Sequence, residues 1–244
     1  MADAITTATA ISRNWPQIGA IPKPLQAAIE AFDECQYAQP PAPPNPADAT
    51  PTNVAETVEA YALALAVADK HVEALRQVRT TLAVRVIQIA DAEVPAMIGK
   101  LQTRFDTAVQ QYLDAVKELP ESLDSDTLLA AGSEVQAAFK TATTAAADIR
   151  AIDTWLAGTA DLPSHVAYER YSVLRTVKAT TRDELTQLLD AKPANPNEDK
   201  LGAVYLVAAK LGLHWRMATA GEAAACKAEI DALPVVKQRR FVSW

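Results

Sequence analysis

From Val54 onward, apolar residues recur at alternating steps of four and three: Val54, Val58, Tyr61, Leu65, Ala68, Val72 and Leu75, then Leu82, Val86 and Ile89. Such spacing keeps one helical face apolar over about five heptads, so the segment is expected to be a helix packed lengthwise against partner helices. Thr52 or Asn53 can cap its start, and Glu56 complements the first turn. Arg79 stands where the pattern wants an apolar residue. An unpaired charge on such a seam is costly and can set register or partner choice, which makes Arg79 a candidate protein-binding residue. Its long stem could equally carry the charge outward.

Pro95 falls inside the pattern, and apolar positions resume beyond it as Ile98, Leu101, Phe105, Ala108, Tyr112, Ala115 and Leu119, with the phase moved by two. A single kinked helix of more than sixty residues is favoured over two helices meeting at a turn. Leu119-Pro120 ends it, and Ser122 to Asp126 offers capping oxygens to a second long helix carrying Leu128, Val135, Phe139, Ala142, Ala146, Ile149, Ile152 and Leu156 and stopping at Gly158. Two long seams across a short connection predict an antiparallel helical hairpin.

Three further helices are expected: Ser164 to Ala191, one holding Leu201 through Trp215, and a short one from Gly221 to Leu233. Ahead of the hairpin, Pro24 to Tyr37 reads as a short amphipathic helix with Leu25, Ile29 and Phe32 on one side, and Met1 to Ile21 is ambiguous. The prolines between Gln39 and Pro51 remove amide donors and enforce extended backbone, so this stretch is a linker or arm. The organisation expected is an N-terminal segment 1–38, a Pro-rich arm 39–51, a hairpin 52–160, helices packing on it over 161–233, and a tail 234–244.

Fifty alanines beside seven glycines in 244 residues favour an all-α fold: a long antiparallel hairpin or bundle with coiled-coil-like seams. A net charge of -7 and a pI near 5.0 argue against nucleic acid and anionic membranes as partners, because both need a field that attracts phosphates. No stretch approaches a membrane span and the N-terminus lacks the basic and apolar regions of a signal, so a cytoplasmic or virion location is expected. Cys35 and Cys226 have neither CxxC spacing nor a cysteine-rich framework and read as reduced.

Catalytic motifs are missing from the pattern. Gly99-Lys100 lacks the closely spaced glycines that cradle a phosphate, and His71, His165 and His214 lack helical ligand partners, so neither cofactor nor metal is expected. The Asp69-Lys70-His71-Val72-Glu73 run reads as a solvated helix face. A non-enzymatic structural or assembly protein is therefore expected, working through contacts with other subunits or with copies of itself as a homo-oligomer. The alanine-rich, lysine-poor style suits a high-GC bacterium or its phage, and a virion or capsid/tail assembly component is the concrete case. Its binding candidates, besides Arg79, are the basic and aromatic residues of the tail: Lys237, Arg239, Arg240, Phe241 and Trp244. The alternative is a soluble helical module or regulator that sequesters a protein or small ligand in a pocket near Tyr168, Tyr171, Tyr205, His214 and Trp215.

Overall fold

The computed structural model describes residues 3–40, 42–167 and 172–234. The protein is all-α: nine α-helices and one pair of two-residue strands are found among the described residues. The chain divides into two compact units, residues 1–93 and 94–244, and the longest helix belongs to both. Each unit is described separately.

In the first unit, α1 (Ala4–Asn14) starts on Asp3, whose carboxylate accepts from the Thr6 amide. α2 (Lys23–Cys35) has Pro24 in its first turn, where no amide donor is needed, and buries Leu25, Ile29 and Phe32 as their spacing predicts. The ambiguous amino-terminal segment is thus helical, and it contributes Ala8, Ile11, Trp15 and Ile18 to the core. Ser12 and Asp33 tie the two helices through a hydrogen bond of 2.9 Å. Among the described residues of the Pro-rich arm, one 3-10 turn forms at Pro46–Asp48, flanked by extended backbone at Asn45 and Ala49.

α3 (Val54–Lys117) is one helix of 64 residues with Pro95 in its interior. Proline removes one intrahelical hydrogen bond there without ending the helix. In the first unit α3 buries Ala83, Val86 and Ala90; in the second it buries Val94, Met97, Leu101, Phe105, Ala108, Val109, Tyr112 and Ala115.

The second unit contains the hairpin. After α3 the chain turns through residues 118–124, and Asp124 caps α4 (Ser125–Ala130). The single return helix expected from sequence is broken at Gly132, whose φ of 86° lies in the left-handed region, before α5 (Gly132–Gly158) runs to its end at Gly158 as its pattern predicts. α5 buries Ala142, Ala146, Ile149, Ile152 and Leu156, and Arg104 of α3 pairs with Asp148 at 2.7 Å.

The remaining chain departs from expectation. The region read as a helix from Ser164 to Ala191 contains 3-10 turns and a strand, β1 (Val177–Lys178), before α6 (Arg182–Asp190). A capping box formed by Thr181 and Glu184 fixes the start of α6, so Val173, Leu174 and Val177 lie outside any α-helix. The helix expected to hold Leu201 through Trp215 is likewise divided: α7 (Pro196–Leu201) ends at Gly202, α8 (Ala203–Lys210) follows, and His214 and Trp215 form β2, antiparallel to β1. α9 (Ala220–Ala232) opens on a second capping box, Thr219 with Glu222. Val173, Leu174, Val177, Leu185, Leu188, Ala208, Ala223, Cys226 and Ile230 bury one another in a cluster of their own.

Candidate functional site

The amino-terminal half of α3 is the part of the described chain where the apolar pattern and the burial disagree. Residues 54–81 include none that is buried, although the heptad pattern runs through all of them. Along the seam, Val54, Val58, Leu65 and Val72 are 48%, 62%, 49% and 74% exposed. Leu63, Val67 and Val78 add exposed apolar surface elsewhere on the same turns. Of the fourteen large apolar side chains exposed among the described residues, eight lie between Val54 and Val84, so this exposure is concentrated on one element. Singly exposed leucines and valines are ordinary; a row continuing the stripe that buries Ala83, Val86 and Ala90 is not.

One flank of the same half-helix is covered. Thr57, Tyr61, Ala64, His71 and Leu75 are half-buried at steps of three, four and seven. The residue just before the arm meets this flank at His71, whose Nε2 lies 3.0 Å from the Ala38 carbonyl oxygen. Glu73 and Arg76 pair along the helix at 3.0 Å, which lowers the Glu73 carboxyl below its usual range chiefly through the Arg76 hydrogen bond. Arg79 marks where the exposed half ends. Its guanidinium carbon stands 5.3 Å from the centre of the Phe32 ring, and its buried Nε has no hydrogen-bond partner among the described residues. The seam charge therefore rests on an aromatic face of its own chain.

The second unit holds a different kind of site. Tyr112, Tyr205 and Trp215 form an aromatic cluster with ring centres 5.7–6.2 Å apart. The Tyr112 hydroxyl donates to the Leu201 carbonyl at 3.1 Å, and burial pushes both tyrosine hydroxyls well above their ordinary values. Beside Tyr205 is a cavity of about 210 Å³ lined in part by Arg150, Asp153, Thr176 and Asp199. Burial raises the Asp153 carboxyl, against the pull of Arg175, whose Nε and Nη2 contact both its oxygens. A separate groove of about 760 Å³ has Leu113, Val116, Leu119 and Leu206 among its walls together with Lys117, Lys192 and Lys210.

The residues singled out from sequence thus fall into three groups. Tyr205 and Trp215 are brought together. His214, expected beside them, lies on β2 in register with Lys178 and is exposed. Tyr168, Tyr171 and the tail residues Lys237, Arg239, Arg240, Phe241 and Trp244 lie outside the described residues. Sequence reasoning missed Asp153 and Arg175, which are 22 positions apart with no motif linking them, and Leu113, Val116 and Leu206, whose seams were read only for what they bury. Among the described residues no cluster of three or more His, Cys, Asp or Glu could hold a metal, and no helix is long and apolar enough to cross a membrane. No protein-family model, curated protein or solved structure matches the chain.

Proposed function

We propose that this chain is a non-enzymatic assembly protein that docks other protein chains onto the amino-terminal half of α3. The observation that carries this reading is the exposed seam: Val58, Leu65 and Val72 repeat at seven residues and none of them is buried among the described residues. Fully burying a Val or Leu side chain is worth roughly 1.5–3 kcal/mol, so even partial burial of several such residues offers a partner several kcal/mol. A virion or virion-assembly component is the setting put forward, from the alanine-rich style of the sequence together with its Pro-rich arm.

The test is mass in solution by light scattering over the micromolar range, for the native chain and for the triple variant Val58→Gln, Leu65→Gln, Val72→Gln. Glutamine keeps the helix and removes the apolar stripe. Association of the native chain that the variant loses, with unchanged circular dichroism, supports the reading. Association that survives the three substitutions, or a native chain that stays at 26.1 kDa at every concentration, counts against it. The second outcome favours the other reading, a compact binding module. For that reading the supporting feature is the groove of about 760 Å³ in the second unit, within the size range of small-molecule sites.

A further inference from the structure

The cavity of about 210 Å³ beside Tyr205 lies wholly within the second unit, among residues of α5, α7, α8 and the segment before β1. Its walls are of two kinds. Val173, Pro193 and Val204 are apolar, while Arg150 and Asp199 bring one full charge of each sign. A guanidinium and a carboxylate on neighbouring elements can pair with each other through parallel hydrogen bonds. Here Arg150 instead donates from Nη2 to the Asp199 carbonyl oxygen, at 3.0 Å, and neither side chain makes an ion pair among the described residues. That backbone bond fixes the guanidinium beside α7. It leaves the remaining guanidinium N–H groups, and the Asp199 carboxylate, without a partner among the described residues. The third charge on the wall is different in kind, because Arg175 contacts both oxygens of Asp153 and that pair is already neutral.

We infer that this cavity binds a small zwitterion, an α-amino acid with a short aliphatic side chain, whose carboxylate meets Arg150 and whose ammonium group meets Asp199. One unpaired charge of each sign calls for a ligand carrying one of each. A simple anion or a simple cation would take water from both wall charges and satisfy only one of them. The guanidinium fork suits a planar carboxylate, and the Asp199 carboxylate accepts the N–H donors of an ammonium group. Size points the same way: the cavity lies below the range of about 300–1,000 Å³ common for sites that take larger ligands. The ligand's side chain then faces Val173, Pro193 and Val204, which offer no hydrogen-bonding side chain. A third charge on the ligand would find only the Asp153–Arg175 pair, already satisfied, and the Tyr205 hydroxyl, which burial chiefly keeps protonated. The site belongs to the second unit and the exposed seam to the first, so this inference and the docking reading can each fail alone.

Calorimetric titration of the full chain tests this, with L-valine as the probe. Acetate and methylammonium, which each carry half of the charge pair, and L-glutamate and L-lysine, which each carry a third charge, are the controls. L-Valine should bind at millimolar concentration or below, and every control should bind at least about ten-fold more weakly, because each leaves a charge unpaired. Arg150→Met and Asp199→Asn should each weaken L-valine binding by about ten- to a hundred-fold. Both positions are exposed, and circular dichroism checks that each variant keeps its fold. Arg150→Met also removes the bond to α7, whereas Asp199→Asn retains it because the acceptor is the main-chain carbonyl. The second variant therefore separates loss of a charge from displacement of a helix. No binding of L-valine at millimolar concentration, any control binding as tightly as L-valine, or binding unchanged in either variant overturns the inference.

Discussion

Arg175 clamps Asp153 from both sides of its carboxylate, Nε to Oδ1 at 2.8 Å and Nη2 to Oδ2 at 3.0 Å, in a place where Arg175 is only 5% exposed. The pair links α5 to the segment leading into β1, a region without long secondary structure of its own. Removing one partner strands the other charge in a poorly solvated site. We expect Asp153→Ala to lower the stability of the second unit by about 3–5 kcal/mol, read from denaturant midpoints. The double variant Asp153→Leu, Arg175→Met should recover most of that loss, since an apolar replacement of both charges removes the desolvation cost along with the attraction. A single Asp153→Ala variant as stable as the native chain would mean that the charges are solvated.

Gly202 governs the next-door aromatic cluster. Its φ is 80°, and a Cβ placed there would stand 2.7 Å from Cδ2 of Tyr205. Gly212 has a φ of 62° and nothing within 4 Å of such a Cβ. Gly212→Ala therefore measures backbone strain alone, about 1–2 kcal/mol. Gly202→Ala should cost more by the displacement of Tyr205 and should alter the near-ultraviolet dichroism of the Tyr112, Tyr205 and Trp215 group. Equal costs at the two glycines would show that Tyr205 gives way freely.

What could be read in the sequence follows from what each signal physically encodes. Heptad spacing encodes which face of a helix is apolar, so α3, its passage through Pro95 and the hairpin with α5 were legible. It does not encode whether the cover comes from the same chain, and so Val58, Leu65 and Val72 looked no different from Val86, which is fully buried. Short apolar runs are ambiguous between helix and strand: Val173, Leu174 and Val177 matched a helical period, yet Val177 pairs with Trp215 in the strands. The Thr181 and Glu184 capping box was the local signal that a helix starts only there. The Asp153–Arg175 pair and the cavity beside it depend on tertiary placement, which no local spacing records.

Asp124 makes a pH-dependent contribution at the hairpin turn. Its carboxylate accepts from the Ser122 hydroxyl at 2.5 Å and from the Thr127 amide at 2.8 Å, and these bonds hold its pKa down at about 2. In the unfolded chain the group titrates near 3.9. A depressed folded pKa adds stability that is present above the unfolded value and lost as pH falls through the folded one. The native chain should exceed Asp124→Asn in stability above about pH 4, with the gap closing toward pH 2, because asparagine keeps an acceptor but does not titrate. A gap that is constant with pH would assign the difference to geometry rather than charge.

Arg79 joins the covered and uncovered parts of α3 through Phe32. A cation over an aromatic face is worth about 0.5–2 kcal/mol, depending on its desolvation, and the buried Nε indicates that this one is partly desolvated. Arg79→Gln should destabilise the first unit by about that amount, and Phe32→Leu should cost more because the ring is also 1% exposed core. A double-mutant cycle separates the two contributions: a coupling of about 0.5–2 kcal/mol belongs to the cation and the ring. A coupling of zero, with Arg79→Gln leaving the melting temperature unchanged, would show that the cation and the ring do not stabilise each other.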